Sequence, residues 1–128
     1  PRFLQGPTVD ELVASGDLDE ATGRIFRFGL APLRFHRHQA QSIAKARAGQ
    51  SYVVTTGTGS GKSLCFFVPV VDAIVRARKA GKARRISAII VYPMNALANS
   101  QINEIEKFIS QSGLPTEIRP VVRRYTGQ

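Results

Sequence analysis

The chain has 128 residues, 43% of them hydrophobic and 21% charged, a composition that builds a packed core and excludes disordered and fibrous classes. One cysteine, Cys65, excludes an internal disulfide and points to a reducing, cytoplasmic setting. No apolar run approaches the ~20 residues of a membrane span, so no membrane partner is expected, whereas a net charge of +9 favours a polyanionic one.

The first residues hold no apolar signal core, and a chain that opens on Pro1 reads as a piece of a longer polypeptide. Residues 1–35 form a helical lead-in without chemistry. Thr8 with Glu11, and Asp17 with Glu20, have the spacing of capping boxes or come close to it. Gly6-Pro7, Gly16, Gly23 and Gly29 keep these helices short. Asp19-Glu20 looks like the acidic pair of a nucleotidase, but no apolar strand precedes it, so it is a helix start. Residues 36–48 read as a helix that carries His38-Gln39 and stops at Gly49.

Tyr52 to Thr55 is a β-type run, and it feeds Thr56-Gly57-Thr58-Gly59-Ser60-Gly61-Lys62-Ser63. A helix follows from Leu64 to about Lys79, in which Pro69 removes one backbone bond near Cys65 and Gly81 ends the element. Cys65 is a packing residue there. Arg76, Arg78, Lys79, Lys82, Arg84 and Arg85 crowd the helix end. In a parallel α/β sheet that end lies opposite the ligand edge, which favours a solvated face over nucleic-acid contact. Ile86 to Tyr92 has the length and continuity of a buried parallel strand, and Pro93 stops it. A helix runs from Asn95 to Gly113 with Ala98, Ile102, Ile105 and Ile109 on one face. Arg119 to Tyr125 reads as a third strand. The alternation of strand and helix predicts an α/β fold with a parallel sheet and right-handed crossovers.

Strand, glycine loop and helix start are the parts of a phosphate cradle. Glycines let successive backbone N–H groups turn toward an anion, because no Cβ blocks the backbone angles this requires. Lys62 then reaches the β- and γ-phosphates of a nucleotide and Ser63 ligates Mg²⁺. The pattern G-x-x-x-x-G-K-[ST] has Thr56 in place of its first glycine. The pattern G-x-G-x-x-G fails, because Lys62 occupies its last position.

The order of motifs resembles the first RecA-like domain of superfamily-two helicases of the DEAD/DEAH-box kind. Arg37-His38-Gln39 looks like the Q motif, which implies that Gln39 reads the adenine edge. Residues 56–63 look like motif I, with Thr56 where Ala or Gly is usual. Tyr92-Pro93-Met94-Asn95-Ala96-Leu97-Ala98-Asn99-Ser100-Gln101 is similar to motif Ia, with Met94 and Asn95 replacing Thr and Arg/Lys. Arg124-Tyr125-Thr126-Gly127-Gln128 looks like the later glycine motif. The resemblance implies a three-layer P-loop NTPase (RecA-like) fold, incomplete in this chain, over residues 36–128. It also implies that Pro93, Asn95, Asn99, Ser100, Thr126 and Gly127 lie along a bound DNA or RNA strand. The wording of residues 92–101 is closest to large bacterial DUF1998-associated helicases, among them the DISARM anti-phage and MrfA-like repair helicases. That implies a DUF1998-type partner subunit beside the rest of the parent chain.

After Lys62 the carboxylates are Asp72, Glu104, Glu106 and Glu117, and none ends an apolar strand as an Asp-Glu pair. The sequence therefore supplies no Walker B acid to orient a water. Two functions follow: the ATP-docking part of a helicase or translocase, or a P-loop module that senses ATP without turnover.

Overall fold

A computed structural model describes residues 4–53, 63–92 and 94–125. The order is β1 (Gln5–Thr8), α1 (Val9–Ala14), α2 (Glu20–Ile25), β2 (Arg27–Phe28), β3 (Ala31–Pro32), β4 (Arg34–His36), α3 (Arg37–Arg47), α4 (Leu64–Lys79) and α5 (Asn95–Gln111).

Local chemistry accounts for the ends of these elements. At α1 the Thr8 hydroxyl accepts from the Glu11 N–H and the Glu11 carboxylate accepts from the Thr8 N–H, each at 3.1 Å, which completes the expected capping box. The second cap differs from expectation. Asp19, not Asp17, accepts from the Ala21 N–H at 2.9 Å and starts α2, while Asp17 takes the Ser15 hydroxyl at 2.7 Å. Asp19 is adjacent to the first helical residue and so can reach the second N–H of the turn; Asp17 is too far back. Gly23 does not end a helix either. It lies inside α2, where an added Cβ would meet Val13 Cγ2 at 2.8 Å, so its lack of a side chain lets α1 and α2 close together. Helices α3 and α4 stop at Gly49 (φ +76°) and Gly81 (φ +79°), in the left-handed region that glycine enters without strain.

The sheets depart from expectation. The described residues form two small antiparallel pairs, β1 with β4 and β2 with β3, all within the first 36 residues. Gly29, at φ +63°, opens the two-residue turn between β2 and β3. Neither residues 86–92 nor 119–125 form a strand, and residues 51–53 of the phosphate-loop run do not either. The physical reason is pairing. A Val/Ile-rich run suits a sheet only where a neighbouring strand takes its backbone hydrogen bonds and covers its side chains. Among the described residues no strand lies beside 86–92, and Ile86, Ile89 and Val91 are about four-fifths exposed (81%, 80% and 85%).

One core serves the lead-in and the later helices. Val9, Leu12, Leu18, Ile25, Phe26 and Phe35 pack with Ile43 of α3, Phe67, Val68, Val71 and Val75 of α4, and Ile105, Phe108 and Ile109 of α5. Phe108 stacks at a tilt on Phe26, with ring centroids 5.3 Å apart, and the Gln111 Nε2 donates to the Ile25 carbonyl at 2.6 Å. The lead-in is thereby locked to α5 as well as to α4.

Pro69 sits inside α4 and has no N–H for the Cys65 carbonyl four residues earlier. The Tyr52 hydroxyl fills that gap, donating to the Cys65 carbonyl at 2.6 Å. Burial raises the Tyr52 pKa, with the Cys65 thiol adding to the effect, so the hydroxyl keeps its proton for this bond. Tyr52→Phe should destabilise the fold by about 1–2 kcal/mol, the cost of an orphaned carbonyl. Pro69→Ala restores an N–H there, so most of that cost should vanish in the double variant. Denaturant melts of the four proteins check this; equal costs in both backgrounds would show that the hydroxyl acts elsewhere.

Candidate nucleotide site

The site is built around the head of α4. Residues 54–62, with Thr56, Gly57, Thr58, Gly59, Ser60, Gly61 and Lys62, lie outside the described residues, as do Pro93, Thr126 and Gly127. Ser63, Gln39, Asn95, Asn99 and Ser100 are described.

Ser63 is the residue before α4, in helical conformation (φ −56°, ψ −37°), and its hydroxyl does not cap its own helix. A serine at this position ordinarily accepts an N–H from the first turn. Here Oγ donates instead to Gln101 Oε1 of α5 at 2.5 Å. The hydroxyl proton is thus committed and the oxygen lone pairs are not turned into the helix. Among the described residues no group of three or more His, Cys, Asp or Glu side chains gathers to hold a metal ion. A hydroxyl with its lone pairs to spare at the N-terminus of a 16-residue helix suits a cation carried in on phosphates, and the helix end itself suits the phosphates. Ser63 and the head of α4 therefore fit a phosphate-borne cation such as Mg²⁺.

Gln39 is 2% exposed on the first turn of α3. Its Oε1 accepts from the His36 N–H at 2.7 Å, so the side chain helps fix the helix start. Helix α3 packs along α4, where Ser42 lies against the buried Cys65. Burial raises the Cys65 pKa even though the Ser42 side chain opposes the shift, which leaves an inert thiol. Asn95, Asn99 and Ser100 are exposed on the first two turns of α5, with Asn95 and Asn99 four apart on one face.

Gln101 is the functional candidate that residue-by-residue reading passed over. It closes the motif-Ia-like stretch, but only the tertiary contact, 38 residues away in sequence, marks it.

The direction of α4 is set by a polar clamp. Asp72, 5% exposed, takes the Asp19 N–H at 2.8 Å and the Thr22 hydroxyl at 2.7 Å on Oδ1, and the Arg76 guanidinium at 2.8 Å on Oδ2. Lys79 pairs with Asp19 at 2.7 Å, and Arg76 also donates to the Gly16 carbonyl at 3.3 Å. Arg78 donates to the Glu117 carbonyl at 2.9 Å, and Arg84 to the Thr116 carbonyl at 2.7 Å. Four of the six clustered cations thus make contacts within the chain, Arg76 and Lys79 with carboxylates and Arg78 and Arg84 with backbone carbonyls.

The sequence profile of the DEAD/DEAH box helicase family matches residues 36–127. The chain belongs to that family. It is 32% identical over 85 residues to "Druantia protein DruE" of Escherichia coli (strain UMEA 4076-1), covering 62% of this chain and 5% of that protein. It is 43% identical over 67 residues to "ATP-dependent rRNA helicase spb4" of Aspergillus terreus, covering 52% of this chain and 10% of that one. It is 34% identical over 90 residues to "ATP-dependent RNA helicase rok1" of Aspergillus oryzae, covering 69% and 12%. The matched region is therefore a small part of each of these relatives. No solved structure matches. The family's RecA-like P-loop fold is accordingly the fold class of residues 36–127. Among the described residues no helix is long and apolar enough to cross a membrane.

Burial works against ionisation of Asp19, but the Lys79 hydrogen bond, the Ala21 N–H and the charges of Lys79 and Arg76 outweigh it and hold its pKa below 3.8. A depressed carboxylate contributes stability that is present above the unfolded value and is lost as pH falls through the folded one. Asp19→Asn should therefore cost the same stability at every pH above about 5, and progressively less below pH ~4. Thermal melts of both proteins across that range check it; a gap that widens on acidification would reverse the assignment.

Proposed function

We propose that this chain is the ATP-docking part of a nucleic-acid-stimulated ATPase, a helicase or translocase, with residues 1–35 a lead-in docked on residues 36–128. The observation that carries the reading is the Ser63 hydroxyl, turned off its own helix directly after the Gly-Lys of the sequence motif in a DEAD/DEAH box chain. Bound ATP and Mg²⁺ supply the phosphoanhydride and the charge that neutralises its leaving group. Lys62 and the loop amides from Thr56 to Gly61 hold the phosphates, and Ser63 offers its oxygen to the cation. Gln39 is the candidate adenine reader at the start of α3, its amide oriented by the His36 N–H that its Oε1 accepts.

Nucleic acid runs past the exposed head of α5, where Asn95, Asn99 and Ser100 offer neutral hydrogen bonds to phosphate, with Pro93, Thr126 and Gly127 as its other neighbours. No Lys or Arg occurs from residue 86 to residue 106, so this grip releases few counterions and depends only weakly on salt. The relatives named as RNA helicases support RNA, while the wording of residues 92–101 supports the DUF1998-associated branch and DNA. A single strand is common to both.

In the protein that contains this chain, ATP hydrolysis should rise on adding single-stranded DNA or RNA. Lys62→Ala should lower that hydrolysis about a hundredfold or more, because a charge that faces the transferring phosphoryl is lost. Tight ATP binding with no turnover under either polymer would leave the sensing module as the correct reading. Undiminished hydrolysis by Lys62→Ala would remove the loop from the chemistry.

A further inference from the structure

We propose that Gln101 is a positioning residue for the Ser63 hydroxyl, and that through it α5 ties the magnesium dependence of nucleotide binding to the nucleic-acid face. The inference rests on the nucleotide-site reading above and goes beyond it by naming which side chain makes Ser63 competent.

The argument begins with hydrogen-bond capacity. A serine hydroxyl has one proton and two lone pairs. A serine at the head of a helix normally spends a lone pair on an N–H of the first turn, and Ser63 does not. Gln101 Oε1 takes the proton at 2.5 Å, and an amide oxygen can only accept, so the partnership fixes which way the hydroxyl points. With the proton held toward α5, the lone pairs are what remain for a cation. A hydroxyl that ligates a metal through oxygen keeps its proton, so the bond to Gln101 survives cation binding and gains from it, because the cation makes the O–H more acidic.

The second part is the rigidity of the carrier. Gln101 belongs to the 17-residue helix α5, whose inner face is fixed by Ile105, Phe108 and Ile109. Asn95 and Asn99 are on the same helix, Asn95 about 9 Å from Gln101 along the axis at 1.5 Å per residue. A strand that tilts or shifts the exposed head of α5 therefore changes the Ser63–Gln101 geometry directly, with no intervening loop.

Fluorescent-ATP binding to the protein that contains this chain, titrated in EDTA and in Mg²⁺, tests the proposal. The wild type should bind more tightly with Mg²⁺. Gln101→Leu, of similar bulk but with no acceptor, should lose about threefold to tenfold of that magnesium-dependent gain, the worth of one hydrogen bond. Gln101→Glu keeps an acceptor oxygen and should retain the gain. In a Ser63→Ala background the Leu substitution should have no further effect, because Gln101 acts only through that hydroxyl. Single-stranded nucleic acid should alter the magnesium-dependent gain in the wild type and not in Gln101→Leu.

A Gln101→Leu protein with the full magnesium gain would overturn the proposal and leave the nucleotide site standing. An equal loss in EDTA and in Mg²⁺ would also overturn it, showing a packing role instead. A wild type that binds no ATP in either condition would remove the nucleotide-site reading together with this one.

Discussion

The rest of the structure depends on one buried carboxylate. Asp72 lies in the middle of α4 at 5% exposure, among Val68, Val71 and Val75 of the same helix. A charge in such a place is tolerated only when its oxygens are filled, and both are: Oδ1 by the Asp19 N–H and the Thr22 hydroxyl, Oδ2 by Arg76. The start of α2 cannot leave α4 without removing two of the three hydrogen bonds to that carboxylate, and a hydrogen bond to a charged group contributes about 1.5–3 kcal/mol. The lead-in is for this reason part of the body that aims α4.

Two further contacts act on the front of the same helix. Tyr52 supplies the hydrogen bond that Pro69 denies to Cys65, and Gln101 holds the Ser63 hydroxyl. Helix α4 is thus tied near its head by residues on either side of it in sequence and in its middle by the lead-in. On the proposed reading, in which the N-terminus of α4 takes phosphate, these ties spare the helix reorganisation on binding. The same contacts reinterpret the net charge of +9. Arg76 and Lys79 are paired with carboxylates and Arg78 and Arg84 are held by carbonyls of the chain, so part of the densest basic stretch serves the fold.

The helices of residues 36–128 were legible in the sequence because their signals are local. An apolar face with a 3.6-residue repeat and a terminal glycine define α3, α4 and α5 within a residue or two of where they fall. Strands carry no such self-sufficient signal. Ile86 to Tyr92 has every compositional mark of one, yet a strand exists only beside another, and none of the described strands lies there. The reverse holds for Gln5-Gly6-Pro7-Thr8, which has no β composition and pairs with β4 all the same. Gly6 allows that approach, since a Cβ there would meet the Phe35 carbonyl at 3.2 Å. The site divides in the same way. Ser63 is a candidate from the local Gly-Lys-Ser order alone, whereas Gln101 becomes a candidate only when α5 is folded against the head of α4.

Native-state hydrogen exchange read by mass spectrometry tests the central claim that the lead-in and α4 are one body. Amides of Glu20–Ile25 and of residues 67–75 should open with the same free energy, and Asp72→Ala should lower the protection of both segments together. Residues 20–25 exchanging almost without protection while residues 67–75 remain protected, in the wild type, would show that Asp72 does not join them and that α4 is aimed without the lead-in.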